Sequence, residues 1–211
     1  MKVYKIPEAT VMRLSVYSRY LYQLIDEGVE TVSSGEIATG VGVSSAQVRK
    51  DLAYFGEFGT RGVGYKVDEL YGQIMQILGL DRRWNVIIIG AGKLGSALAL
   101  YQGFAHRGFK ICAVLDIDKN CIGQRLGGIE VEPLEVLAER IEEHKISIGV
   151  VTVPAPVAQD VTEKLISAGV KAILNFSPRV LRVPADVVLR NVDLSVNLEV
   201  LSFNLGFGSG R

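Results

Sequence analysis

With 211 residues, 48% hydrophobic and 22% charged, the chain has room for one large or two small domains around a sizeable core. Its 23 Lys+Arg balance 23 Asp+Glu, which argues against a strongly basic, indiscriminate nucleic-acid binder. Cys112 and Cys121 form neither a disulfide framework nor a metal pattern. No apolar run reaches membrane-spanning length and the start lacks a signal-peptide core, so a reducing cytoplasm and no membrane partner are expected.

A first helix is expected over residues 7–27, with Val11, Leu14, Tyr17, Leu21, Leu24 and Ile25 on one face and Gly28 as its stop. Ser33 and Glu36 form a capping box for a second helix to about residue 40. After the turn Val41-Gly42-Val43, Ser44 and Gln47 form another for a third helix to about residue 55. Two short helices about a Gly-containing turn are a helix-turn-helix. Residues 56–67 hold four glycines between β-leaning flanks and predict a tight hairpin. A fourth helix follows over 68–78, and 80–83 form a linker. Strands at 85–89, 111–115, 147–153, 172–175 and 188–192 then alternate with helices at 93–106, 133–144 and 157–168. Such alternation gives a parallel sheet covered on both faces. An apolar helix over 193–207 comes last.

The sharpest signal is Gly90-Ala91-Gly92-Lys93-Leu94-Gly95, a G-x-G-x-x-G turn between a strand and a helix. Gly90 permits the turn, Gly92 lets the backbone approach a pyrophosphate, and Gly95 lets the helix pack close to the strand. The helix start then offers N–H groups and partial positive charge to the phosphates. Asp116, ending the next strand, is placed to bind the adenosine ribose and to repel a 2′-phosphate, so NAD(H) is expected over NADP(H). Thr152-Val153-Pro154 and Asn175-Phe176 end two further strands on the same edge and should face the cofactor.

A dehydrogenase would need an acid/base beside the nicotinamide and a substrate domain. His106 and His144 both fall at expected helix C-termini, where they serve the dipole. No catalytic set and no metal site emerge, and little chain is left for a substrate. The cofactor is read rather than used.

On the third helix, Val48, Leu52 and Phe55 share one face, opposite Ala46, Lys50 and Ala53, with Gln47, Arg49 and Tyr54 flanking. Small residues beside cationic and amide donors suit close approach to base edges and phosphates. Ser44 opens this helix. Arg61 on the hairpin tip and Lys66 on its return suit phosphate or minor-groove contact.

These residues resemble the redox-sensing transcriptional repressors of the Rex family over nearly the whole chain. The resemblance is carried by Val48-Arg49-Lys50-Asp51-Leu52 with Tyr54-Phe55-Gly56, by Gly59-Thr60-Arg61-Gly62-Val63-Gly64-Tyr65, by Gly90 to Gly95, by Thr152-Val153-Pro154 and by Val192-Asp193-Leu194. It implies an α/β chain: an N-terminal winged helix-turn-helix domain (1–80), a Rossmann-like doubly wound parallel sheet (84–192) and a C-terminal domain-swapped helix (193–207). It implies a homodimer on an inverted-repeat double-stranded DNA operator, released by NADH, with an interdomain polar cluster matched by Arg19, Tyr101 and Asp193. The apolar tail, with Leu194, Leu198, Leu201, Phe203 and Leu205, independently asks for a partner chain. A nicotinamide pocket of Val153, Pro154, Phe176 and Leu194 of the partner subunit would prefer the neutral reduced ring. The competing class is enzymatic: the glycine turn and Val-Pro-Ala-Pro loop also resemble the CoA-binding domain of succinyl-CoA synthetase, whose catalytic histidine segment is missing here.

Overall fold

The computed structural model describes residues 6–56, 58–60 and 62–207, and these divide into two compact units, Met1–Arg82 and Arg83–Arg211. In the first, α1 (Glu8–Asp26) is followed by β1 (Thr31–Val32), α2 (Ser34–Val41), α3 (Ser45–Ala53), β2 (Tyr65–Lys66) and α4 (Val67–Ile77). Leu14, Tyr17, Leu21 and Leu24 of α1 meet Ile37 of α2, Val48 and Leu52 of α3, and Leu70 and Ile74 of α4 in one core. Val11 and Ile25, expected on that face, are exposed. They sit at its rim, and Thr10 is buried instead. The Ser33–Glu36 capping box is complete, so α2 starts where the sequence placed it. At Ser44 only half of the box forms: Ser44 Oγ accepts from Gln47 N, while the Gln47 side chain turns to Asp51.

The expected hairpin is smaller and differently paired. Thr60 and Gly64 close a short turn by mutual backbone hydrogen bonds of 2.9 and 3.0 Å. β2 then pairs antiparallel with β1, a strand before the helix-turn-helix rather than a hairpin arm.

The second unit comprises β3 (Trp84–Ile89), α5 (Lys93–Ala99), β4 (Phe109–Asp116), β5 (Arg125–Leu126), β6 (Ile129–Pro133), α6 (Leu137–His144), β7 (Ile148–Val151), α7 (Ala155–Ser167), β8 (Ala172–Asn175), β9 (Val188–Asn191) and α8 (Leu194–Phe207). The sheet order is β5-β6-β4-β3-β7-β8-β9, parallel except for β5 at one edge. The chain starts at β3, winds outward through β4, and returns to the other side of β3 through β7. That reversal is a switch point, outside whose strand carboxyl ends ligands of open sheets bind.

Strands β5 and β6 were not expected. Gly127-Gly128 joins them as a two-residue hairpin turn, with Leu126 opposite Ile129. The helix expected over 93–106 ends at Ala99, and a short 3-10 turn at Ala105–Arg107 follows. Gly103 lies between them, where helix propensity is poor. Helical cover of the sheet is also uneven. α6 and α7 pack on one face through Leu137, Ile141, Ala158, Val161 and Leu165. α5 packs on the other through Leu98 and Ala99, and no helix stands between β8 and β9. Among the described residues, no helix is long and apolar enough to cross a membrane.

Candidate functional site

The glycine turn sits at the switch point. Gly90, at φ +104°, leaves β3 in a backbone conformation that side chains disfavour, and its N–H donates to Leu115 O on β4 at 2.8 Å. A Cβ on Gly95 would collide with the Gly90 carbonyl, so this glycine sets how closely α5 packs on β3. Gly92 differs: its φ is ordinary, and an added Cβ would meet nothing within 4 Å. Neither backbone nor packing requires glycine there; close approach by a ligand would. α5 carries no side-chain cap. Its first N–H groups, at Lys93, Leu94 and Gly95, therefore lack partners inside the helix. Lys93 and Leu94 are exposed and Gly95 is buried. An uncapped helix start behind an unobstructed glycine suits a diphosphate.

Neighbouring strands hold this turn in place. The half-buried Asp116 accepts from Ala91 N through Oδ2 (2.5 Å) and from Ile117 N and Asp118 N through Oδ1 (2.7 and 2.8 Å). Its carboxylate thus ties the end of β4 to the turn after β3. The Thr152 hydroxyl lies 2.9 Å from Ile89 O and 2.8 Å from Gly90 O, fastening β7 to the same turn. Val153 packs toward the α7 side of the sheet, Pro154 is exposed, and Phe176 packs toward the α5 side. They flank the carboxyl edge from two faces.

Asn175 is fully buried and committed to its own loop. Its Nδ2 faces Ser177 O, Arg179 O and Asn191 Oδ1, and its Oδ1 accepts from Ser177 N. Ser177 Oγ beside it is buried without a hydrogen-bond partner among the described residues.

In the first unit, Ala46, Arg49, Lys50, Ala53 and Tyr54 are exposed along and just after α3, with Ser44 exposed at its start. Arg49 reaches back to Ser34 Oγ at the start of α2 (2.9 Å). Lys66 pairs with Glu69 (2.8 Å). Arg61 lies outside the described residues.

The sequence reading missed a polar cluster behind α3. Asp51 is fully buried and accepts from Arg13 Nε (2.6 Å) and Nη2 (2.7 Å), Tyr17 Oη (2.8 Å), Gln47 Nε2 (2.9 Å) and Thr10 Oγ (3.1 Å). Burial pushes the Asp51 carboxyl up, but the bonds from Arg13, Tyr17, Gln47 and Thr10 outweigh it and hold it below the usual carboxylate range. Burial, then the bond to Asp51, drives the Tyr17 phenol well above its usual value. The only sequence signal was an Asp at i+4 from a Gln; its partners on α1 lie 34 to 41 positions away.

Of the three residues expected in a switch, Arg19 is exposed on α1, and Tyr101 is exposed just beyond the end of α5 rather than on it. Tyr101 packs edge-on against Phe104 with ring centroids 5.1 Å apart. Asp193 Oδ1 accepts from Ser195 N (2.9 Å) and Ser195 Oγ (2.7 Å), opening α8. From Leu194 onward, α8 exposes Leu198, Leu201 and Leu205 on one face and Val196, Val200 and Phe203 on the opposite one.

Residues 5–53 match the family model described as putative DNA-binding protein N-terminus, and residues 81–179 match that of the CoA binding domain. The redox-sensing transcriptional repressor Rex of Syntrophomonas wolfei is 74% identical over 209 residues, covering 99% of this chain and 100% of that protein. Its counterpart in Carboxydothermus hydrogenoformans is 59% identical over 205 residues, covering 97% and 99%. A Rex-family repressor solved with β-NAD+ and operator DNA superposes with a TM-score of 0.91 at 42% identity, over 96% of this chain and 94% of that one. The same repressor solved with β-NADH gives 0.88 at 40% identity, covering 96% and 95%. Two matched segments and relatives spanning the full length lead to one conclusion: the chain belongs to the Rex family of redox-sensing transcriptional repressors.

Proposed function

We propose that this chain is an NADH-responsive repressor acting in the cytoplasm as a homodimer. Residues 1–80 dock on an inverted-repeat operator, 84–192 hold NAD(H), and 193–207 cross to the partner. The supporting observation is that one chain carries both an exposed face of Ala46, Lys50 and Ala53 on α3 and an uncapped glycine turn at a sheet switch point.

On the DNA side, Lys50, Arg49, Arg61 and Lys66 supply phosphate and base-edge donors, Ser44, Gln47 and Tyr54 supply polar contacts, and Ala46 permits close approach. On the cofactor side, the N–H groups of Gly92 to Gly95 cradle the diphosphate, Ala91 and Asp116 shape the adenosine end, and Thr152 and Asn175 fix the loops that face it. The bound dinucleotide supplies a nicotinamide that loses its positive charge on reduction. Val153, Pro154, Phe176 and Leu194 of the partner subunit desolvate that ring, which disfavours the cation and makes NADH the tighter ligand. Arg19 meets Asp193 of the partner subunit in one domain arrangement, and Tyr101 holds Asp193 in the other. A changed spacing of recognition helices then loses register with half-sites about 34–36 Å apart.

Operator binding titrated with NADH at several fixed NAD+ concentrations tests this reading. NADH should weaken binding and NAD+ should shift the curve to higher NADH. Operator affinity indifferent to NADH would remove the sensor. The match to a CoA binding domain keeps one other ligand in view. NADH should raise the melting temperature; CoA raising it while NADH does not would replace the cofactor assignment.

A further inference from the structure

Among the described residues, Asp51 is the only charged side chain buried as deeply as the core. Such a group is poor evidence for stability, because a well-packed apolar replacement is often as good or better. What it supplies is direction. The contacts of Val48 and Leu52 with the core are apolar and tolerate small shifts of α3 against α1. Four hydrogen bonds converging on two oxygens, from Thr10, Arg13 and Tyr17 on α1, do not; a fifth, from Gln47, lies within α3 itself. The four fix both the rotation of α3 about its axis and its position along α1.

The cluster also orients a side chain on the flank of the exposed face. An ionised carboxylate only accepts hydrogen bonds. The Gln47 amide therefore turns its nitrogen toward Asp51, at 2.9 Å, and its carbonyl oxygen the other way. Gln47 is half-buried, beside the exposed Ala46 and Lys50. Which end of the amide is offered outward decides whether it matches a donor or an acceptor on a base edge.

We propose that Asp51 is the positioning residue of the recognition helix: through Arg13, Tyr17 and Thr10 it sets the helix against α1, and through Gln47 it sets the hydrogen-bonding polarity offered to DNA, so that it governs sequence discrimination rather than overall DNA affinity. This rests on α3 being the helix that reads DNA.

The wild-type chain first selects a duplex from a random-sequence pool, and a scrambled duplex of equal length and composition is the reference. A wild-type chain without preference overturns the DNA-reading assignment of α3, and the proposal with it. Tyr17→Phe and Thr10→Val each delete one donor at nearly constant volume, and Asp51→Asn deletes the charge at constant shape. The donor deletions should keep scrambled-duplex affinity within about twofold, because phosphate contacts are untouched. Their preference for the selected duplex should fall about three- to tenfold, the order of one ordinary net hydrogen bond. Asp51→Asn, which can hold either end of the Gln47 amide, should also broaden base preference at one position per half-site. If Asp51→Asn does not fold, the donor deletions decide. Folded variants with lowered melting temperatures but an unchanged preference ratio show a purely structural cluster and overturn the proposal.

Discussion

A methyl group at Gly92 would meet nothing of the protein, whereas one at Gly95 would run into the Gly90 carbonyl. The two glycines therefore fail differently. Gly92→Val should cut NADH affinity at least about tenfold by blocking approach to the diphosphate, while DNA binding persists without NADH release. Its melting temperature should stay near wild type; isothermal titration and thermal denaturation read the two effects separately. Unchanged NADH affinity would sink the role given to this turn. Asp116 already holds three backbone N–H groups, besides the second job proposed for it at the adenosine end of the cofactor. Asp116→Ala should cost about 1–3 kcal/mol of stability, chiefly from the orphaned N–H of the buried Ala91, since Ile117 and Asp118 are exposed and water can replace their partner. It should also narrow the preference for NADH over NADPH, measured as a ratio of affinities; a wild type that binds both equally would refute the second job. The glycines and Asp116 were legible because their spacing follows local strand–turn–helix geometry. Asp51 was not, because four of its five bonds come from α1, far away in sequence.

At the level of elements, α1 and α3 are held by a carboxylate titrating low and a phenol titrating high. For Asp51 the folded value is depressed, so its contribution is present above the ordinary carboxylate value of about 3.9 and is lost as pH falls through the folded value. For Tyr17 the folded value is raised, so its contribution is present below about 10 and is lost as pH climbs through the folded value. Denaturant unfolding between acid and strong alkali should show both losses, with the alkaline one reduced in Tyr17→Phe; an alkaline limb identical in that variant would exclude Tyr17 as its source. The helices of this unit followed from caps and periodicity, but the pairing of β2 with β1 did not. Two-residue strands carry too little pattern, and their partnership spans the whole helix-turn-helix. β5 and β6 did leave a signal in Leu126-Gly127-Gly128-Ile129, a hairpin turn between apolar residues. α5 was overextended because apolar spacing continues past Ala99, where the helix ends with its cap at Leu100.

For the whole molecule, the salt dependence of DNA affinity separates phosphate contacts from base contacts. A phosphate contact from Lys50 should make Lys50→Ala lower the slope of log affinity against log salt by about one. An unchanged slope with altered base preference would make Lys50 a base reader instead. The chain's largest unsatisfied demand is α8, whose apolar side chains point outward on every side. A helix of that kind is stable only when buried all round, and its own unit leaves it bare. Chains lacking residues 193–211 should be monomeric or aggregated by light scattering and lose tight operator binding; a dimeric, operator-binding truncation would refute the crossing. If α8 crosses to a partner as proposed, the same bare helix ties the lifetime of the repressor to its abundance. An unassembled copy displays an apolar segment that proteases can grip, and assembly hides it by mass action. In limited proteolysis across a dilution series, cleavage within residues 194–207 should rise as the protein is diluted, so that copies too scarce to pair are also the first to be cleared.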